Sequence, residues 1–235
     1  MRTIVFDYET NSLDIINPEV VLVGYQIDDE PIKIGSLTDI KPYLEDNKIL
    51  KCAHNMSFEF GVSRGSGINI QPPYFCTAVS MWLLGKSANN RYGLKALAKE
   101  YLGYEETKTF KEVSKQYAVK EETGKVKKDG TRQIRSRSAL ASELPREVIE
   151  PYCKKDVEMT KKLFDLTYPI IKNDQGLYKT MIIEMKQVPI YDGMRRKGLK
   201  IDREYLSKFS QDIDLKIEGL EHELELATTI KRNTI

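Results

Sequence analysis

The sequence predicts an α/β fold in which a sheet forms early in the chain and helices are added to it. Short segments rich in Val, Ile and aromatic residues, separated by turn-forming residues, recur in the first quarter of the chain and indicate strands. Later, apolar residues repeat at three- and four-residue steps, which is typical of amphipathic helices. We therefore expect an α/β domain whose sheet is flanked by helices, followed by a C-terminal helical extension.

The predicted strands all precede the first long helix. In the first strand, alternation places Asp7 and Glu9 on one side, while its other residues are apolar enough for burial on both faces. Turn-forming residues separate the first three strands, so these strands should form a meander. The predicted strands are residues 4–10, 20–27, 32–34 and 49–53.

The predicted helices differ in how clearly the sequence marks their ends. Residues 38–47 suit a short helix capped by Thr38 or Asp39. Residues 75–84 are continuously apolar and should form a buried helix, or a strand leading into a helix, with Trp82 in the core. The other predicted helices are residues 56–62, broken by the glycines at 61, 65 and 67; residues 94–102, closed by Gly103; residues 146–166; and helices after Gly176.

The last of these helices carries a long apolar stripe. Its residues recur at three- and four-residue steps, so the helix needs a partner surface. The stripe consists of Leu206, Phe209, Ile213, Ile217, Leu220 and Leu224.

Composition limits the classes of function. A chain of 235 residues can bury one full core plus an appendage, and it has no run near the roughly 18 apolar residues that a membrane span needs. No signal peptide opens the sequence, so cytoplasmic residence is the default expectation. The cysteines Cys52, Cys76 and Cys153 form no C-x-x-C pair and are expected in the core. A net charge of +2 is too small to identify a polyanionic partner.

Several acids are placed where a metal site would need them. Asp7 and Glu9 form either an exposed pair at a strand end or a buried pair that requires a compensating cation. Glu59 follows the strand 49–53, where it is either a first-turn helix carboxylate or a third acid of the site. His54 at the same strand end is expected to be a satisfied histidine rather than a ligand.

Asp156 is the strongest physical clue to such a site. It lies on the apolar face of the predicted helix 146–166, one turn after Tyr152, and its side chain should point inward. Because no Lys or Arg on that face can pair with it, convergence with Asp7, Glu9 and Glu59 around a cation is the favoured interpretation.

Residues 118–138 are basic and almost without apolar side chains, so a mobile loop or hairpin is predicted. Two interpretations stay open, a solvated insertion and an arm that contacts phosphates. Its candidate phosphate contacts are Lys127, Lys128, Arg132 and Arg135.

Three motifs resemble a known family. Residues 6–10 (FDYET), 53–59 (AHNMSFE) and 152–156 (YCKKD) are similar to the exonuclease motifs of the DEDDy 3′-5′ exonucleases, which have a ribonuclease H-like fold with a mixed sheet. The segment from Glu184 to Asp202 resembles the start of the polymerase module in family A DNA polymerases. The resemblance implies a proofreading exonuclease domain over 1–176, a helical extension over 177–235, and a bacteriophage as one source. The catalytic palm has no counterpart here, so polymerase activity is not expected.

The resemblance also implies a catalytic set. Asp7, Glu9 and Asp156 would bind one divalent ion, and Asp7 with Glu59 would hold a second ion about 4 Å away. Oxygen ligands imply Mg²⁺ or Mn²⁺, and Tyr152 would orient the attacking water. The family's second motif usually ends in Asp, so Glu59 is a departure that leaves either an adjusted or an impaired site.

The implied substrate is the 3′ end of single-stranded DNA, released as nucleoside 5′-monophosphates. Asn55 would position the terminus. Phe58, Tyr74 and Phe75, together with the basic segment, are candidate contacts of the strand, and the three aromatic residues fit either a stacking or a core position. The implied partner is a polymerase module in cis or in trans, in the host cytoplasm if the source is a bacteriophage. The alternatives are a catalytically weak DNA-binding or scaffold module and a ribonuclease D-like exoribonuclease.

Overall fold

A computed structural model describes residues 1–89, 91–105, 108–126 and 132–228. Contacts divide the chain into two compact units, Met1–Arg196 and Lys197–Ile235. The boundary at residue 176 that the family resemblance implies stays a prediction.

A five-stranded mixed sheet forms the centre of the first unit, in the order β3-β2-β1-β4-β5. The first three strands are antiparallel neighbours, which confirms the predicted meander, and β4 and β5 run parallel to β1. Since β1 lies in the middle, its residues Ile4, Val5 and Phe6 are almost completely buried. The strands are β1 Thr3–Thr10, β2 Val20–Ile27, β3 Lys33–Gly35, β4 Leu50–Ala53 and β5 Tyr74–Cys76.

Eight α-helices, a short 3-10 helix at Ala141–Glu143 and a separate hairpin complete the described part of the chain. The hairpin pairs β6, Val119–Val126, with β7, Arg132–Arg137, in antiparallel register. The helices are α1 Leu37–Leu44, α2 Met56–Gly65, α3 Thr77–Leu83, α4 Leu94–Leu102, α5 Phe110–Gln116, α6 Arg146–Asn173, α7 Gln175–Lys197 and α8 Arg203–Thr228.

The cap predicted for the first helix is wrong. The N-cap of α1 is Ser36, not Thr38 or Asp39. The carboxylate of Asp39 accepts hydrogen bonds from the Ser36 backbone N–H at 2.7 Å and from the Ser36 hydroxyl at 2.8 Å. Asp39 therefore acts three residues into the helix, as the acid of a capping box.

Two glycines of α2 allow a close contact rather than breaking the helix. A Cβ atom on Gly65 would lie 2.4 Å from the Ile15 carbonyl oxygen, and one on Gly61 would lie 2.9 Å from Ile15 Cδ1. The helix therefore continues through Gly61 to Gly65 and packs directly on the segment between β1 and β2. Gly67, with φ of +77°, then takes the left-handed conformation that glycine adopts readily.

The apolar stretch after residue 74 is a strand leading into a helix, one of the two predicted forms, but Trp82 is not in the core. Its side chain is 52% exposed. The buried positions of α3 are Thr77, Ser80 and Met81, and their spacing leaves Trp82 on the outer side of the helix.

The second unit contains α8, which carries the apolar stripe predicted from Leu206 to Leu224. These side chains are exposed within the described residues, Leu206 at 52% and Leu220 at 65%. No helix in the described ranges is both long and apolar enough to cross a lipid bilayer.

Candidate active site

Asp7 and Glu9 of β1 and Cys153 of α6 converge beneath the middle of the sheet. One possible ligand atom from each of the three residues lies within 4.8 Å of the others. The helix approaches closely because its neighbour on β2 is Gly24, where a Cβ atom would lie 2.7 Å from Cys153 Sγ. Gly24 pairs with Asp7 across the two strands, so the closest approach of α6 falls beside the acids.

Sequence reasoning assigned Cys153 to the core and did not place it at the site. The side chain is fully buried, which fits that assignment, but it also adjoins the two acids. A signal was available, because Cys153 precedes Asp156 by three residues and therefore shares its helix face.

Glu59 is a buried carboxylate on the first turn of α2, only 4% exposed. Burial, followed by the negative charges of Asp7 and Glu9, raises the pKa of Glu59 well above its ordinary value. Its Oε2 atom accepts no hydrogen bond from any residue that the structure describes. Such an acceptor is costly unless a cation or donor compensates it.

Asp156 is buried on the inner face of α6, but its partner differs from the expected one. Lys95 of α4 forms an ion pair with Asp156 Oδ1. The sequence argument considered only Lys and Arg on the same helix face, so it did not identify this partner. Lys95 lies on another helix that packs against α6.

The electrostatics of the cluster are dominated by burial. Burial raises the pKa of Asp7, an effect that the charge of Lys95 opposes. Burial and then the Asp7 carboxylate raise the pKa of Glu9. The pKa of Lys95 shifts in the opposite direction. Burial lowers it to about 8, although the charges of Asp7 and Glu9 favour the protonated amine. Two acids with raised pKa values, Asp7 and Glu9, therefore act on one partly buried ammonium group.

Tyr152 lies at the edge of this cluster, half-buried on α6. The Lys95 ammonium lies 4.3 Å from the centre of its ring, and Phe110 of α5 meets the ring edge-on at 6.2 Å. Burial, followed by the charges of Glu9 and Asp7, raises the pKa of the Tyr152 hydroxyl. The phenol therefore stays protonated and can donate a hydrogen bond at neutral pH.

His54 has a partner for each ring nitrogen. Nδ1 lies 2.8 Å from the hydroxyl of Thr77, and Nε2 lies 2.8 Å from the carbonyl oxygen of Tyr92. Because a carbonyl can only accept, Nε2 carries the proton and Nδ1 accepts from Thr77. Burial lowers the pKa of His54 to about 4. It is a neutral, satisfied residue, as the sequence indicated.

The candidate stacking residues have different surroundings. Phe75 is buried and meets the rings of Phe164 and Tyr168 edge-on, which is the core position of its two predicted alternatives. Tyr74 is half-buried, and its hydroxyl donates to the Ile70 carbonyl. Phe58 is half-buried against the core, and Asn55, the N-cap of α2, is exposed. The roles of these last two stay predictions.

The basic segment forms a hairpin that carries its own counter-charges. Arg132 pairs with Glu122 at 2.6 Å, which offsets its charge. Arg135 is exposed on β7. Lys127 and Lys128 lie outside the described residues.

A groove beside Tyr152 was not anticipated from the sequence. It has a volume of about 400 Å³ and lies between α4, α5 and α6. Lysine side chains and tyrosine rings line it together, which is the combination that suits a single nucleic-acid strand. The lining includes Lys95, Lys108, Tyr117, Tyr152 and Lys155.

The carboxylate set fits a divalent cation. Asp7, Glu9, Glu59 and Asp156 supply oxygen ligands of the type that hard cations prefer, and Glu59 contributes a buried oxygen that lacks a hydrogen bond within the described chain. The structure brings Asp7 and Glu9 together most closely, while Asp156 contacts Lys95.

The fold and this buried acid cluster define a class, the ribonuclease H-like exonucleases. A family model described as 3′-5′ exonuclease matches residues 1–167, and the chain belongs to that family. The resemblance in the three motifs is thereby confirmed. The family is the exonuclease domain of the DNA polymerase I type.

Similar proteins agree with this placement. The chain is 25% identical to DNA polymerase I of Borreliella burgdorferi over 237 residues, 95% of this chain and 23% of that protein. It thus spans about a quarter of that relative's length. Among solved structures, Brucella melitensis NrnC has a TM-score of 0.60 at 19% identity, covering 83% of this chain and 85% of that one. Escherichia coli RNase D, described as an exoribonuclease, has a TM-score of 0.55 at 17% identity, covering 82% and 45%. These structural likenesses establish the fold alone.

Proposed function

We propose that the chain is a metal-dependent 3′-5′ exodeoxyribonuclease that removes nucleoside 5′-monophosphates from single-stranded or frayed DNA ends, as the proofreading part of a family A DNA polymerase. The observation that carries the proposal is the convergence of Asp7, which is partly buried, with the buried Glu9, and Glu59 lies close enough to be affected by both charges. Such acids are costly in a protein interior unless they serve a cation.

The proposed cofactor is a pair of Mg²⁺ or Mn²⁺ ions held by Asp7, Glu9, Glu59 and Asp156. A structure of the similar NrnC holds bound Mg²⁺, which supports this choice. When bound, such ions would activate a water molecule and neutralise charge on the phosphodiester. Asp156 would exchange its contact with Lys95 for the cation, since the two positive charges compete for one carboxylate.

Tyr152 is the proposed positioning donor for the attacking water. Its hydroxyl remains protonated because the neighbouring acids disfavour the phenolate. The ring contacts both Lys95 and Phe110, and these contacts restrict its direction. A protonated, oriented phenol suits a group that holds a water molecule in place rather than one that removes its proton.

The groove beside Tyr152 is the proposed path of the strand. Lys108 and Lys155 are placed to contact phosphates, and the exposed ring of Tyr117 offers a stacking surface. Asn55, Phe58 and the hairpin, including Arg135, are proposed as further DNA contacts. DNA is favoured over RNA as the substrate because the chain is similar in sequence to DNA polymerase I of Borreliella burgdorferi.

The proposed partner is a polymerase module, either in the same polypeptide or separate. Two exposed apolar surfaces, one on α7 and one on α8, support this proposal. On α7, Ile190 and Met194 are 61% and 64% exposed, and α8 presents its stripe from Leu206 to Leu224. Clusters of exposed apolar side chains mark contacts with other proteins.

The test uses single-stranded DNA and RNA of the same sequence, each labelled at the 5′ end, with Mg²⁺ or Mn²⁺. We expect a ladder that shortens from the 3′ end of the DNA and a slower reaction on RNA. Degradation of RNA without degradation of DNA would instead establish the ribonuclease D-like alternative.

A catalytically weak DNA-binding or scaffold module is the second candidate, and the extra methylene of Glu59 is the observation that favours it. The unmodified chain and a Glu59→Asp variant would be compared in the same assay. Binding of DNA without cleavage, with cleavage restored by Glu59→Asp, would establish the scaffold function and reject the exonuclease.

A further inference from the structure

A charged cluster on α7 lies well beyond the residues that match the exonuclease family. Asp192 is fully buried there and pairs with two arginines, Arg64 of α2 at 2.7 Å and Arg196 of α7 at 2.9 Å. A buried carboxylate with two guanidinium partners is a rigid, charge-assisted arrangement. The matched residues end at 167, so neither Asp192 nor Arg196 belongs to them.

Arg196 also binds the backbone of two other elements at once. Its Nη2 atom donates to the carbonyl oxygen of Gly61 in α2 at 2.9 Å and to that of Ile15 at 3.1 Å. Ile15 lies in the segment that directly follows β1, and Gly61 is two residues from Glu59. One guanidinium group therefore joins α7 to α2, which carries Glu59, and to the segment that follows β1.

The contact surface under Arg196 is closely packed. Gly61 and Gly65 let α2 lie directly on the segment around Ile15, where a side chain would not fit. On the other side of α2, the Tyr8 hydroxyl donates to Ser63 at 2.9 Å, and Ser63 donates to the Glu59 carbonyl at 2.7 Å. The position of α2 relative to β1 is thus held by Ser63 and by the Arg196 cluster, and the Glu59 carboxylate also accepts a hydrogen bond from the Tyr8 backbone N–H.

We propose that Asp192 and Arg196 of α7 are positioning residues that hold α2, and with it Glu59, at the distance from Asp7 and Glu9 that a divalent cation requires. The proposal rests on the proposed function. It makes α7 a functional part of the exonuclease unit, although α7 lies outside the matched motifs. Glu59 is one methylene longer than the family's usual Asp. The position of α2 therefore determines where the Glu59 carboxylate lies.

The test measures Mn²⁺ binding by the full chain, with free Mn²⁺ counted by electron paramagnetic resonance. Arg196→Ala should weaken binding about tenfold, the range seen when a residue that orients a ligand is lost. Arg195→Ala is the matched control, because Arg195 is the exposed neighbour on the same helix. Arg196→Lys keeps a charge beside Asp192 but lacks the planar fork, and it should also weaken binding. The Arg196→Lys variant replaces Arg196→Ala in this comparison if Arg196→Ala does not fold.

A second background separates positioning from general stability. In a Glu59→Gln chain, Arg196→Ala and Arg196→Lys should cause no further loss of Mn²⁺ binding, because the residue through which Arg196 acts has been neutralised. An equal loss in both backgrounds, or binding like that of Arg195→Ala, would overturn the proposal. If the unmodified chain neither binds Mn²⁺ nor degrades DNA, it is the proposed function that fails.

Discussion

Lys95 of α4 forms an ion pair with Asp156 of α6, and the same ammonium group opposes the raised pKa values of Asp7 and Glu9. When no divalent ion is bound, the ammonium group of Lys95 is a positive charge, within the described residues, that compensates the negative charge of the acid cluster. A divalent ion bound by the acids would supply that positive charge instead. The contribution of Lys95 to the free energy of unfolding should therefore depend on whether the ion is bound.

Replacing Lys95 with methionine should destabilise the metal-free chain by about 3 kcal/mol, because it leaves buried carboxylates without a cation. Mn²⁺ should recover most of that loss. Urea unfolding in chelator and in Mn²⁺ measures both values, and Lys99→Met, at an exposed position of α4, is the control. The same loss in chelator and in Mn²⁺ would contradict the link.

The phenol of Tyr152 should be needed for turnover but not for metal binding. Tyr152→Phe should lower kcat about 100-fold, the usual contribution of a positioned proton donor or acceptor. Single-turnover cleavage and Mn²⁺ titration measure the two effects separately. Tyr43→Phe removes a hydroxyl elsewhere in the core and should change neither. A Tyr152→Phe chain with full activity would remove Tyr152 from the mechanism.

His54 predicts a pH dependence of stability. Its pKa in the folded chain is about 4, below its ordinary value of 6.5, so folding favours the neutral ring. Its stabilising contribution is therefore complete above pH 6.5 and is lost as the pH falls through 4. Between these values the unmodified chain should lose about 3 kcal/mol more than His54→Gln. Parallel curves for the two proteins in pH-dependent urea unfolding would show that the ring titrates normally.

The glycine contact beneath α2 can be tested by adding one methyl group. Gly65→Ala should cost about 2 kcal/mol, because the new Cβ would lie 2.4 Å from the Ile15 carbonyl oxygen. Gly193→Ala adds the same methyl group inside α7, where nothing lies within 4 Å, and should stabilise the chain slightly. Thermal unfolding of both variants measures the contrast, and a stabilised Gly65→Ala chain would refute the close approach.

The sequence was sufficient where local periodicity determines the outcome. Alternation placed Asp7 and Glu9 on one side of a strand, and the helical repeat turned Asp156 inward. The contact of Asp156 with Lys95 could not be predicted in this way, because it depends on how α4 packs against α6. Trp82 shows the same limit, since an apolar run does not reveal which side of a short helix faces the core.

The departure at Glu59 is a related case. Sequence reasoning identified the longer side chain but could not determine where its carboxylate lies. That position depends on α2, which is fixed by Gly61, Gly65 and the distant Arg196. Residues separated by more than a hundred positions along the chain therefore decide the geometry of one motif.

The central claim is that Asp7 and Glu9 of β1 are required for a metal-dependent exonuclease activity. The most direct measurement follows a 5′-labelled single-stranded DNA with Mg²⁺, comparing the unmodified chain with Asp7→Asn and with Asp14→Asn, an exposed acid nearby in sequence. We expect a ladder shortening from the 3′ end for the unmodified chain and Asp14→Asn, lost with Asp7→Asn and with chelator. Intact DNA in every lane, or a ladder that survives Asp7→Asn, would contradict the account.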